Sequence, residues 1–271
     1  MNVSPLLAIL QANHHSALGI AMNNITRYGT TLVTTVLLFA CNSDSNNILE
    51  DLNANRAKWE SANIDNYQFE YSISCFCLDD ATRPRLVVVN ADQVESQTII
   101  ESNIALPQDT FTSETIDGLF ERIALEESRA ESLNVEYHPE LGHPTFIQVD
   151  GNAQTADDEY TITVSNVVSA DDIACTTSIE SGLIVSITDA STEAPIACDT
   201  TVTATDENFT ETATGACDRN ELITMLDERP GFYSITVEKD GYQTFQVDDY
   251  GIGKDLCHVL PRELEVELIS E

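Results

Sequence analysis

Residues 67–77 read YQFEYSISCFC, in which Tyr67, Phe69, Tyr71, Ile73, Cys75 and Cys77 alternate with mostly polar or small residues. A period of two marks a strand with one face in a core and the other in water. Working outward, RLVVVN (85–90) and VESQTII (94–100) flank the turn-like Ala91-Asp92 and read as a hairpin. On the N-terminal side, ILEDLNANRAKWESA (48–62) places Leu49, Leu52, Arg56 and Trp59 at helical spacing, with Asn47 and Glu50 set as a capping box. On the C-terminal side, residues 114–129 carry Ile116, Leu119, Phe120 and Ile123 on one stripe, with Glu114 and Asp117 at the positive end of the helix dipole. LNVEYHP (133–139), TFIQVD (145–150) and EYTITVSNVV (159–168) then give three more strands. The order helix, three strands, helix, three strands is satisfied by an antiparallel sheet with both helices on one face.

After the polar SADDIA (169–174), three segments read as strands separated by turns at short spacing: residues 182–205, 228–245 and 257–269. Pro230-Gly231 and Asp240-Gly241 supply the turn chemistry. About seven strands without a helix indicate a β-sandwich. The expected fold class is therefore α+β: a helix-backed antiparallel sheet domain over 49–168, a linker over 169–174, and an all-β sandwich over 175–271. Residues 1–40 read as a leader and signal peptide, and 41–48 as a polar tether.

The leader reading rests on LVTTVLLFAC (32–41), an uncharged apolar run preceded by Arg27 and ending in Ala40-Cys41. The run is well under the roughly 20 residues needed to span a bilayer. Met22 reads as a start, with MNNITRYG as the n-region, and Met1 is the alternative, which makes residues 1–21 an extended leader. Leu38-Phe39-Ala40-Cys41 resembles the lipobox of bacterial lipoproteins, which implies lipidation of Cys41. Asn42 stands where an aspartate would resemble the inner-membrane retention signal, so the outer membrane is the expected location.

Asp and Glu number 46 against 12 Lys and Arg, a formal net charge of -34, while 42% of residues are hydrophobic; the chain can fold and has an acidic surface. Such a field repels phosphate backbones, which argues against nucleic-acid binding. Setting Cys41 aside, six cysteines remain, an even number that favours disulfides in an exported chain. If Glu207-Asn208 is a two-residue turn, Asp206 faces Phe209 and the same register places Cys198 opposite Cys217, leaving Cys175 for Cys257. A bulge in the hairpin would instead pair Cys217 with Cys257. Cys75 and Cys77, on one face of a strand, read as a structural bond, with a redox couple or half of a thiolate metal site as the alternatives.

Other chemistry is sparse. His138 and His143 bracket the turn in YHPELGHP, and without a third ligand a turn role outweighs a metal site. His258 follows Cys257, and on a strand the two side chains would point to opposite faces, which argues against a thiol–imidazole dyad. No nucleophile-elbow, zinc-protease or phosphate-loop motif occurs. The expectation is a non-enzymatic binding or scaffolding module of the cell envelope, with no cofactor and no metal. Its partners would be the membrane, through the lipid anchor, and an envelope protein or glycan. The alternatives are a periplasmic thiol–disulfide protein using Cys75 and Cys77, or an inhibitor of an envelope hydrolase.

Two resemblances accompany these readings. NRAKWESANIDNYQFEYSISCFC (55–77), TIDGLFERI (115–123), VEYHPELGHPTFIQVD (135–150) and DDEYTITVSNV (157–167) together resemble a bacterial family of exported proteins of unknown function, over 49–168. That resemblance implies no activity. Ala194-Pro195, Gly231-Phe232-Tyr233 and Asp240-Gly241-Tyr242 resemble the carboxypeptidase regulatory-like domain, which implies a transthyretin-like sandwich used as an accessory module.

Overall fold

Tyr67, Phe69 and Tyr71 are almost fully buried, and they sit on the strand β1 (Tyr67–Cys75) that the alternation indicates. A computed structural model describes residues 45–271, apart from 112, 153, 156 and 219–221. The helix α1 (Ser45–Ala62) precedes β1. After it come the one-turn α2 (Asp79–Thr82), the hairpin β2 (Arg85–Asn90) and β3 (Gln93–Ile99), and the two-residue β4 (Ile104–Ala105). Next are α3 (Ile116–Arg129), β5 (Ser132–Tyr137), β6 (Pro144–Asp150) and β7 (Tyr160–Ser169). The second half is β8 (Ser181–Asp189), β9 (Thr201–Thr205), β10 (Thr210–Thr214), β11 (Ile223–Asp227), β12 (Gly231–Glu238), β13 (Phe245–Ile252) and β14 (Arg262–Leu268).

In the first half α1 and α3 cover one face of the sheet. Leu52 and Trp59 from α1 and Ile116, Leu119, Phe120 and Ile123 from α3 share a core with the inward residues of β1, β2, β6 and β7. Thr115 caps α3 by accepting from the Gly118 amide at 3.1 Å. The amide of Ile116 donates to the buried Tyr67 hydroxyl at 2.9 Å, so a strand side chain satisfies a helix-end donor. α1 begins at Ser45, so Asn47 lies within the helix rather than capping it, and Leu49 is 41% exposed rather than in the core.

In the second half two sheets face each other. Leu183, Val185 and Ile187 of β8 and Leu264, Val266 and Leu268 of β14 pack against Val202, Ala204, Tyr233, Ile235 and Val237 of β9 and β12. β8 and β14 run parallel, with Leu183 opposite Arg262 and Asp189 opposite Leu268. The β9–β10 hairpin has the register read from the sequence: the Asp206 amide donates to Phe209 O at 2.9 Å, and Thr201 lies opposite Thr214.

The α+β class expected from the sequence is corrected here. Among the described residues fourteen strands stand against two long helices, one single α-helical turn and two 3-10 turns, so the fold is mainly β. One eleven-stranded sheet, in the order β10-β9-β12-β13-β4-β3-β2-β1-β7-β6-β5, also runs through both halves. The link is β4, too short to have a period, which pairs with β3 on one side and with β13 through Ile104 and Ile252 on the other. The segment between β13 and β14 adds further ties. Lys254 Nζ lies 2.7 Å from Glu95 Oε1, the Leu256 amide donates to Gln68 Oε1 at 2.9 Å, and Asn103 Nδ2 donates to Pro261 O at 2.9 Å. Gly253 is required at this junction, because a Cβ there would sit 2.4 Å from the Thr98 side chain.

Candidate functional site

β1 stops at Cys75, so Cys77 is not on the strand as the alternation suggested. Cys75 and Cys77 are bonded, with Cα atoms 5.2 Å apart, and the chain turns away from the sheet between them. The turn leaves Phe76 80% and Leu78 84% exposed, the two most exposed large apolar side chains among the described residues. Beside it, the ends of β1 and β6 and the start of β7 enclose an open groove of about 860 Å³. Asp150, Asp157 and Glu159 line the groove, and among the described residues no Lys, Arg or His does.

Tyr160, on the groove wall, ties this rim to α3. Its hydroxyl donates to Glu126 Oε1 at 2.7 Å, and Arg129 donates to both Glu126 oxygens at 2.8 and 2.5 Å. Arg122, paired with Glu114 through two 2.7 Å bonds, lies over the Tyr160 ring at 5.8 Å. The Arg129 hydrogen bonds, aided by Tyr160, hold the Glu126 carboxyl below the usual carboxylate range although burial opposes it. A depressed folded-state value stabilises the fold above the unfolded-state value, and that contribution disappears as pH falls through the folded-state value. Glu126→Gln is therefore expected to cost about 1–2 kcal/mol at neutral pH, since Arg129 is largely solvated. The difference from the parent should shrink as the medium is acidified. Urea unfolding at neutral and acid pH reads both, and a pH-independent difference would contradict the assignment.

The remaining residues singled out in the sequence are placed as follows. Cys41 and its lipidation lie outside the described residues. Cys198 is bonded to Cys217 and Cys175 to Cys257, with Cα separations of 4.3 and 5.3 Å. His138 and His143 stack at 4.9 Å, and each serves the turn: His138 Nδ1 accepts from the Leu141 amide at 3.1 Å, and His143 Nδ1 lies 3.1 Å from Pro144 O. Burial pushes the His143 imidazole down. Cys198, Asp199 and Cys217 have the spacing of a metal site, but both sulfurs are committed to a disulfide.

The sequence reading missed one cluster. His258 does not sit on a strand beside Cys257; its imidazole meets Glu228 at 2.8 Å and Thr176 at 3.0 Å. These partners are 30 and 82 residues away, so no local spacing announces them.

Over the described residues the protein is thus mainly β and stapled by three disulfides, which mark an oxidising compartment outside the cytoplasm. No helix among the described residues is long and apolar enough to cross a membrane. Residues 51–169 match a family of unknown function (DUF6174), a match that ends where β7 ends. No curated protein matches the chain.

Proposed function

We propose that this protein is a binding or scaffolding module of the cell envelope, anchored to the outer membrane by lipid on Cys41, with its partner docking on the Cys75–Cys77 turn. The observation that carries the docking site is the pair Phe76 and Leu78, 80% and 84% exposed on a turn closed by a disulfide. Fixing the turn reduces the ordering cost of binding, and a projecting aromatic residue is the usual centre of interface energy. The carboxylates around the groove would disfavour a thiolate, which speaks for docking over thiol–disulfide exchange. A partner with basic residues around an apolar pocket fits this charge.

Fractionation tests the anchor, and recovery on the membrane tests the docking. Cys41→Ser should leave the protein soluble or unprocessed, because each buried CH₂ contributes about 0.8 kcal/mol and two or more chains are needed for stable attachment. Phe76→Ser with Leu78→Ser should stay on the membrane but lose the envelope components that co-purify with the parent. A freely soluble parent with an unmodified N-terminus would refute the anchor, and an unchanged set of co-purifying components would refute the docking site.

A further inference from the structure

Thr176 and His258 each directly follow one half of the Cys175–Cys257 disulfide, whose Cα atoms are 5.3 Å apart. The bond thereby holds together a hydroxyl and an imidazole that are 82 residues apart in the chain. Nε2 of His258 lies 3.0 Å from Thr176 Oγ1, and Nδ1 lies 2.8 Å from Glu228 Oε1. Asp255 Oδ1 accepts from the amides of Cys257 and His258 at 2.6 and 2.7 Å and fixes the loop that carries the ring. Glu228 is held as firmly. Its carboxylate accepts from the Glu180 amide at 2.9 Å and the Val259 amide at 3.3 Å, and its backbone has φ of 51°, a conformation unusual for a residue with a side chain.

These contacts assign the protons. The Glu180 amide and His258, in that order, keep the Glu228 carboxyl below the usual carboxylate range, so it is ionised and can only accept. Nδ1 of His258 therefore carries the proton, and in the neutral ring Nε2 is left to accept from the Thr176 hydroxyl. Thr176 Oγ1 lies 2.6 Å from Ser178 Oγ, and both residues are exposed.

We propose that Glu228, His258 and Thr176 form an acyl-transfer site, with Thr176 Oγ1 as nucleophile and an unhindered ester as substrate. Thr176 Oγ1 attacks the ester carbonyl carbon while His258 Nε2 takes the hydroxyl proton and Glu228 steadies the imidazolium. Collapse of the tetrahedral adduct breaks the bond to the alkoxy oxygen, which leaves as the alcohol with the proton from Nε2. Water then attacks the acyl-threonine, passes a proton to Nε2 and releases the carboxylic acid as the proton returns to Thr176. The exposure of Thr176 and Ser178 suits an acyl group carried on the surface of a large molecule. This site goes beyond the docking reading and stands or falls independently of it.

The test treats the oxidised mature protein with p-nitrophenyl acetate and follows nitrophenol release and the acetylated peptides by mass spectrometry. Acetyl should appear on Thr176 and fall about a hundredfold in His258→Gln, the scale of a lost general base. Thr176→Ser, a less hindered hydroxyl that leaves the loop unchanged, should acylate several-fold faster. Circular dichroism shows whether each variant is folded. Acetylation that misses Thr176, an unchanged yield in folded His258→Gln, or no gain in Thr176→Ser would each overturn the proposal.

Discussion

Replacing Cys175 and Cys257 together by serine is expected to lower the unfolding free energy by about 4.5 kcal/mol, the chain-entropy value for a loop of that size. The cross-link spans 82 residues, against 19 for Cys198–Cys217, for which the same relation gives about 3 kcal/mol. The position of the longer bridge adds to its effect. Cys257 lies between β13 and β14, in the segment whose Lys254, Leu256 and Pro261 touch Glu95, Gln68 and Asn103 of the first half. Freeing that segment should weaken the junction as well as lengthen the unconstrained chain. Denaturant unfolding of the two double variants under oxidising conditions measures the order. A smaller loss for Cys175/Cys257 than for Cys198/Cys217 would contradict it.

Phe120→Ala is expected to cost about 3–5 kcal/mol, the range for deleting a buried aromatic ring without full collapse of the cavity. Phe120 has no exposed surface, its ring stacks on Tyr137 at 6.2 Å, and the Arg56 guanidinium lies 5.7 Å from its centroid. It therefore joins α3 to α1 and to the edge strand β5. Leu125→Ala on the same helix, 51% exposed, should fall within about 0.5 kcal/mol of the parent. Equal costs at the two positions would mean that α3 buries a different face.

The parts of this fold that are legible in the sequence are those fixed by local periodicity. Tyr67, Phe69 and Tyr71 announce β1, and Ile116, Leu119, Phe120 and Ile123 announce α3, because burial of one face imposes periods of two and 3.6. The two-residue turn at Glu207-Asn208 fixes a register as far as Thr201 and Thr214; beyond it Cys198 bridges Gly215 instead, and the Cys198–Cys217 bond closes past the strand ends. Features made by partners distant in the chain leave no such trace. β4 has two residues and is a strand only because β3 and β13 flank it. The parallel pairing of β8 with β14 depends on the packing of the whole second half. The same holds for the sites: Cys75-Phe76-Cys77 was visible as a motif, but its departure from the strand was not. Glu228, His258 and Thr176 meet only after folding.

Site-specific photo-crosslinking in the native envelope tests the central claim, that a partner docks on the Cys75–Cys77 turn, most directly. A photoreactive residue in place of Phe76 or Leu78 should capture the same partner at both positions, while one at Leu222, an exposed apolar side chain in the other half, should not. The adduct should weaken with added salt, because the groove beside the turn is lined by Asp150, Asp157 and Glu159. Capture of the same proteins from all three positions, or of nothing from Phe76 and Leu78, would contradict the account.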